Sequence, residues 1–271
     1  MLSSRLSTKL IAITGLLLLL TGTVITALGC GSGQAQGTGQ QQTLTVSAAI
    51  SLKDVFTELG RDYQAAHPGV EVKFNFGASG DLEQQIIGGA PVDIFASASS
   101  KETDELGQQG RIDKSTLIQP VTNDVVLVVP AASANQATTF TDLAQGRFGK
   151  IAIGNPDTVP AGRYARDVLT RSGVWDTVKP RLIYGESVRQ VLDYVARDEV
   201  DAGIVYATDA RTRTADVKVL LTAPAASHKP VVYPMAVVTS SQQASLARQF
   251  LAYLGSSEAL PVFEKYGFRS P

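Results

Sequence analysis

Four short stretches place small or hydroxyl-bearing residues where a strand hands over to a helix. "AAISLKD" sets Ser51 just before a helical pattern, with Asp54 three residues on, the spacing of a capping box. "FGASGDLE" sets Ser79 at the same point, with Gly77 and Gly80 near enough for backbone amides to approach a partner closely. "VPAGRYARDVL" opens a helix at Pro160, which leaves the amides of Ala161 and Gly162 free. "YGESVRQVLDYV" puts Glu186 or Ser187 at the cap and Val188 just inside. Each junction has a local reading as a helix cap, worth about 1 kcal/mol. Together they also have a chemical one. The start of a helix carries unpaired N–H groups and roughly half a positive charge. Several such starts converging suit a compact, doubly charged oxyanion with no lysine or arginine required. Tyr206, closing "DAGIVYATDA", is either a half-buried aromatic at a strand end or a phenolic donor to the same anion.

The elements that must position these residues follow from periodicity. "LTVSAA", "VEVKFNF", "VDIFASA", "DVVLVVP", "GKIAIGNP", "PRLIYG", "VDAGIVY" and "VVYPMAVVTS" read as strands. Between them "SLKDVFTELGRDYQAAH", the stretch after Ser79, "KETDELGQQG", "AGRYARDVLTRSGVW" and "SVRQVLDYVARDE" have helical spacing, and "SLARQFLAYLGS" and "ALPVFEKYGF" read as terminal helices. Strands alternating with helices predict the α/β class with parallel sheets. In such sheets ligands bind beyond the carboxyl ends of the strands, where all four junctions lie.

Composition narrows the function. The 271 residues are 44% hydrophobic and 18% charged, with a net charge of −1. Nucleic acid is excluded as a partner, because neutralising phosphates needs clustered Lys and Arg. "GASGD" departs from the G-x-S-x-G nucleophile elbow at Asp81, and the two histidines, His67 and His228, sit in turns far from it, so no enzyme is expected. There is no phosphate-loop motif and no metal-ligand spacing, so no cofactor is expected either. One cysteine, Cys30, rules out an intrachain disulfide.

The first residues form a different region. Arg5 and Lys9 precede an apolar run that ends at Cys30, a pattern that reads as an export signal or, being about long enough to span, an uncleaved anchor. "TALGC" resembles the lipobox of bacterial lipoprotein signals, with Ala27 and Leu28 in the reverse of the usual order. That resemblance implies a signal over 1–29 and Cys30 as the lipidated first residue, facing the periplasm or the outer side of the cell membrane. A plain secretory signal is the other reading. Residues 30–42, rich in Gly, Ser and Gln, read as a flexible tether.

From "LTVSAAISLKDVF" to "VFEKYGF" the chain resembles the periplasmic molybdate-binding proteins of ABC transporters. "FGASGDLEQQIIGGAPVDIFASAS", "NPDTVPAGRYA", "GVWDTVKPRL", "ESVRQVL", "GIVYATDA" and "SHKPVVYPMAVV" carry the likeness in order and spacing. It implies a two-lobe, type II periplasmic-binding-protein-like fold, each lobe a mixed, mainly parallel sheet flanked by helices. Two crossover strands would join the lobes, near "TNDVVLVV" and "HKPVVYPMAV". Lobe one would take residues 43–124 and 230–271, and lobe two residues 125–229. It further implies a monomer that binds molybdate or tungstate through Ser51, Ser79, Ala161, Val188 and Tyr206 and presents it to a membrane permease. The alternative is another tetrahedral oxyanion such as sulfate; phosphate is disfavoured because its proton calls for a buried acceptor. Asp81, so near a dianion, is expected to point outward.

Overall fold

A computed structural model describes residues 41–271; the expected signal, Cys30 and nearly all of the tether lie outside the described residues. The chain enters through β1 (Gln42–Ala49), α1 (Lys53–Ala66), β2 (Val70–Gly77), α2 (Ser79–Ile87), β3 (Ile94–Ala96) and α3 (Ser100–Gln108). A short strand, β4 (Thr122–Asn123), leads to β5 (Val125–Pro130), β6 (Ile151–Gly154), α4 (Pro160–Arg171), α5 (Trp175–Val178), β7 (Leu182–Gly185), α6 (Val188–Ala196), β8 (Ala202–Tyr206), α7 (Ala207–Arg211) and β9 (Val217–Thr222). It returns through β10 (Val231–Val232) to β11 (Met235–Val237), α8 (Ala244–Leu254) and α9 (Leu260–Lys265).

These elements make two α/β lobes. The first sheet has the order β11-β3-β1-β2 and the second β7-β6-β8-β5-β9, while β4 and β10 pair as a two-stranded antiparallel ribbon. β1 runs parallel to β2 and β3, and β6 runs parallel to β7 and β8. The alternation of elements predicts mainly parallel pairing and the resemblance implies mixed sheets, as found; the antiparallel pairs have a topological cause. β5 and β11 each enter their sheet from the ribbon rather than through a helical crossover, and they pair antiparallel with β8 and β3. β9, which sequence reading missed, closes the second sheet antiparallel to β5.

Periodicity explains the packing. α1 buries Val55, Phe56, Leu59 and Tyr63, one face of a helix, and "VVLVVP" of β5 is buried along its whole length because both faces of that sheet are covered. Three expected boundaries move. "VVYPMAVVTS" is two strands, β10 and β11, because Pro234 has no N–H to give a ladder. The helix read through Trp175 stops at Arg171, since Gly173 takes a left-handed turn with φ 72°. β1 begins inside the expected tether, where the Gln42 amide donates to Gly69 O at 2.8 Å.

Candidate anion-binding site

Three parallel strands of each lobe point their carboxyl ends at one place. Ser51 follows β1, Ser79 follows β2 and Ala98 follows β3; Ala161, Val188 and Tyr206 follow or end β6, β7 and β8. All six line one small cavity of about 10 Å³. No Lys, Arg, Asp or Glu lines it. The five residues singled out in the sequence are thus brought together, each 5% exposed or less. Ala98 is the wall residue that sequence reading missed.

The two serines are not caps. Ser51 sits within a single 3-10 turn, Ile50–Leu52, and α1 has no side-chain cap, so the expected capping box does not form. Ser79 is the first residue of α2, whose cap position is Ala78. The Ser79 hydroxyl instead accepts the Ala98 amide at 3.1 Å, and the Ser51 hydroxyl meets the Tyr233 hydroxyl at 3.2 Å. Ser187 is a true cap, accepting the Gln190 amide at 3.2 Å and leaving Val188 just inside the helix.

Backbone donors complete the cavity. Among the described residues the amides of Ser51, Ser79, Ala161 and Val188 have no protein acceptor. A buried amide without a partner is costly, so four around one cavity mark a place built for an acceptor. Gly162 corrects the reading of "PAG": its amide donates to Val159 O at 3.0 Å. Its role is steric, because a Cβ there would lie 2.0 Å from Gly154 O. Only glycine lets the start of α4 lie directly against the end of β6. Tyr206 donates to Ala98 O at 3.5 Å across the lobes, and burial pushes its pKa well up, so its hydroxyl keeps its proton.

Cations near the cavity are already spoken for. Arg163 of α4 reaches across to Glu102 of α3, a carboxylate with no exposed surface, and to Ser99 Oγ at 3.1 Å. Arg189 of α6 pairs with the buried Asp209 and reaches Asp54 of α1 at 2.6 Å. Burial works against the charge on Arg189, and Asp209 and Asp54 hold its pKa above the ordinary value. Asp81 faces solvent as expected, with its pKa raised by partial burial and by Glu186 across the cleft.

The two arginines, with the Gly80 amide donating to Thr158 O at 2.9 Å, hold the lobes together around the cavity. A tetrahedral oxyanion, larger than water, would enter and leave this cavity only when these contacts part. Arg163→Gln is therefore expected to raise the anion dissociation rate roughly tenfold, since a hydrogen bond to a charged group contributes about 1.5 kcal/mol or more. The association rate should change little. Stopped-flow displacement measures both, and an unchanged dissociation rate would show that the pair does not hold the cleft shut.

Residues 44–269 match the bacterial extracellular solute-binding protein family. The chain belongs to that family. Among relatives of this solute-binding protein is the molybdate-binding protein ModA of Haemophilus influenzae, 42% identical over 83% of this chain and 89% of its own. A Bacillus subtilis protein, YvgL, named as a candidate ABC transporter substrate-binding lipoprotein, is 42% identical over 89% of this chain and 92% of its own. Of solved structures, the periplasmic molybdate-binding protein of Azotobacter vinelandii superposes with a TM-score of 0.75 at 26% identity, over 84% of this chain and 99% of its own. No helix among the described residues is long and apolar enough to cross a membrane, and no cluster of three or more His, Cys, Asp or Glu among them is placed to hold a metal ion.

Proposed function

We propose that this chain captures molybdate or tungstate outside the cytoplasm and delivers it to an ABC transporter permease, without catalysing a reaction. One observation carries the reading: four unpaired amides and two buried serine hydroxyls meet at a cavity whose wall holds no charged side chain. A dianion there is bound by dipoles alone. Ser51, Ser79, Ala161 and Val188 would each give an amide, with hydroxyls added by the serines and by Tyr206 once its proton turns from Ala98 O to the anion. The names of the Haemophilus and Azotobacter relatives support the choice of oxyanion. Closure of the lobes about the β4–β10 ribbon would make the form that the permease receives. The Bacillus relative's name supports a lipid on Cys30, which would hold the protein at the membrane on its tether; the protein would act there as a monomer.

Thermal unfolding with a panel of oxyanions tests this. A ligand that binds only the folded state stabilises it by RT ln(1 + [L]/Kd), about 2.7 kcal/mol at a hundredfold excess over Kd. Molybdate and tungstate are expected to raise the midpoint, and sulfate and phosphate at equal concentration to raise it far less. Equal shifts from all four would remove the selectivity, and no shift from any would remove the binding.

A further inference from the structure

The Ser51 hydroxyl is the end of a buried line of hydrogen bonds that runs from the cavity into the ribbon. Ser51 Oγ lies 3.2 Å from the Tyr233 hydroxyl, which lies 2.9 Å from Asn123 Nδ2. Nδ2 also donates to Thr208 Oγ1 at 2.8 Å. Asn123 and Tyr233 come from the two sides of the ribbon region, Ser51 from lobe one and Thr208 from lobe two. All four residues are 4% exposed or less.

The direction of each bond follows from the chemistry of its ends. Asn123 Oδ1 accepts the Asp124 amide at 2.9 Å, which fixes the side-chain amide with its nitrogen toward Tyr233. An NH₂ group only donates, and its two protons go to Thr208 and Tyr233. The Tyr233 oxygen therefore receives a proton and must place its own elsewhere. Among the described residues Ser51 Oγ is its remaining partner. Burial pushes the Tyr233 pKa up, so that proton is present at any working pH. Ser51 thus accepts from Tyr233, and its own proton is left to point into the cavity. Ser79 is committed in the same way, by the Ala98 amide.

We propose that Asn123 and Tyr233 are positioning residues that bias Ser51 toward donating into the cavity, and so tune it against oxyanions that carry a proton. The proposal rests on the oxyanion reading above and adds a selectivity device to it. A fully deprotonated tetrahedral dianion offers only acceptors and satisfies every donor. Monohydrogen phosphate brings one O–H that needs an acceptor, and at Ser51 the bond from Tyr233 occupies one of the two lone pairs and frees the hydroxyl's own proton for the ligand, so the oxygen is poorly placed to accept. Without Tyr233 the Ser51 hydroxyl turns freely and can give or accept.

The test titrates wild type, Tyr233→Phe, Asn123→Ala and the double variant with molybdate and with inorganic phosphate by calorimetry, in mildly alkaline buffer where phosphate is the monohydrogen dianion. Tyr233→Phe is expected to weaken molybdate binding about tenfold, the scale of one charge-assisted hydrogen bond. Phosphate should hold steady or tighten, so that the ratio of the two affinities falls. Asn123→Ala should lower the same ratio, and added to Tyr233→Phe it should change molybdate affinity less than about twofold, because both act through one chain. Equal loss for both anions would make Tyr233 a packing residue and overturn the proposal. So would additive effects, an unchanged molybdate affinity, an unchanged ratio of the two affinities, or no detectable phosphate binding to the variants. Should Tyr233→Phe not fold, the ratio in Asn123→Ala decides. Failure of the wild type to bind molybdate would instead overturn the oxyanion reading itself.

Discussion

Arg189→Gln is expected to destabilise the protein by about 3–5 kcal/mol near neutral pH, the cost of leaving a buried charge without its partner. Asp209 has no exposed surface, among the described residues its Oδ2 has no partner, and its Oδ1 is held by the Arg189 guanidinium. Burial pushes the Asp209 carboxyl's pKa up, and Arg189 pulls it back without cancelling the rise. The sign of the pH dependence follows. A carboxyl whose folded pKa exceeds its unfolded one gives its full stability below the unfolded value and loses it as pH rises through the folded value. Removing Arg189 lifts the folded pKa further, so the deficit of the variant is largest at high pH and shrinks on acidification. Urea unfolding of both proteins at about pH 7 and about pH 5 measures it, and an equal deficit at the two would refute the account. Arg189 also opens the helix that presents the Val188 amide and ties it to Asp54 in the other lobe, so anion affinity should fall with stability.

What sequence could reveal divides by range. Each strand–helix junction is local: an apolar run, a break, and a 3.6-residue pattern announce it. Six parallel strands then bring those junctions to one cavity by topology alone, which is why the junctions could be marked and lie together; the choice of Ser51, Ser79, Ala161, Val188 and Tyr206 among their residues came from the family resemblance. The partners of those residues are not local. Ser51 reads as a cap because Asp54 stands three residues on, yet its hydroxyl is engaged by Tyr233, 182 residues away. Arg163 and Glu102 stand 61 residues apart, and neither stretch signals the other. β9 escaped notice because it is an edge strand with Val219 half exposed, so "VKVLLT" lacks the inside–outside contrast of a covered strand. Ala98 escaped notice because it acts through its backbone, on which residue type is silent.

Ser79→Ala removes two bonds with one oxygen, which sets its expected effect apart from the loss of an ordinary cap. A cap lost to alanine costs about 1 kcal/mol of stability and has no reason to change anion affinity. Here the hydroxyl accepts the buried Ala98 amide and, in the reading proposed above, donates to the bound anion. Losing a hydrogen bond to a charged group costs about 1.5–3 kcal/mol, and leaving the Ala98 amide unpaired in the closed cleft adds about 1–3 kcal/mol. In an open cleft water can satisfy that amide, so the second cost also falls on closure and hence on binding. Molybdate affinity is therefore expected to drop on the order of a hundredfold or more, while the ligand-free midpoint moves much less. Calorimetry together with ligand-free thermal unfolding separates the two costs. A stability loss with affinity intact would return Ser79 to a purely structural role and take from the cavity the hydroxyl that lies between the two glycines.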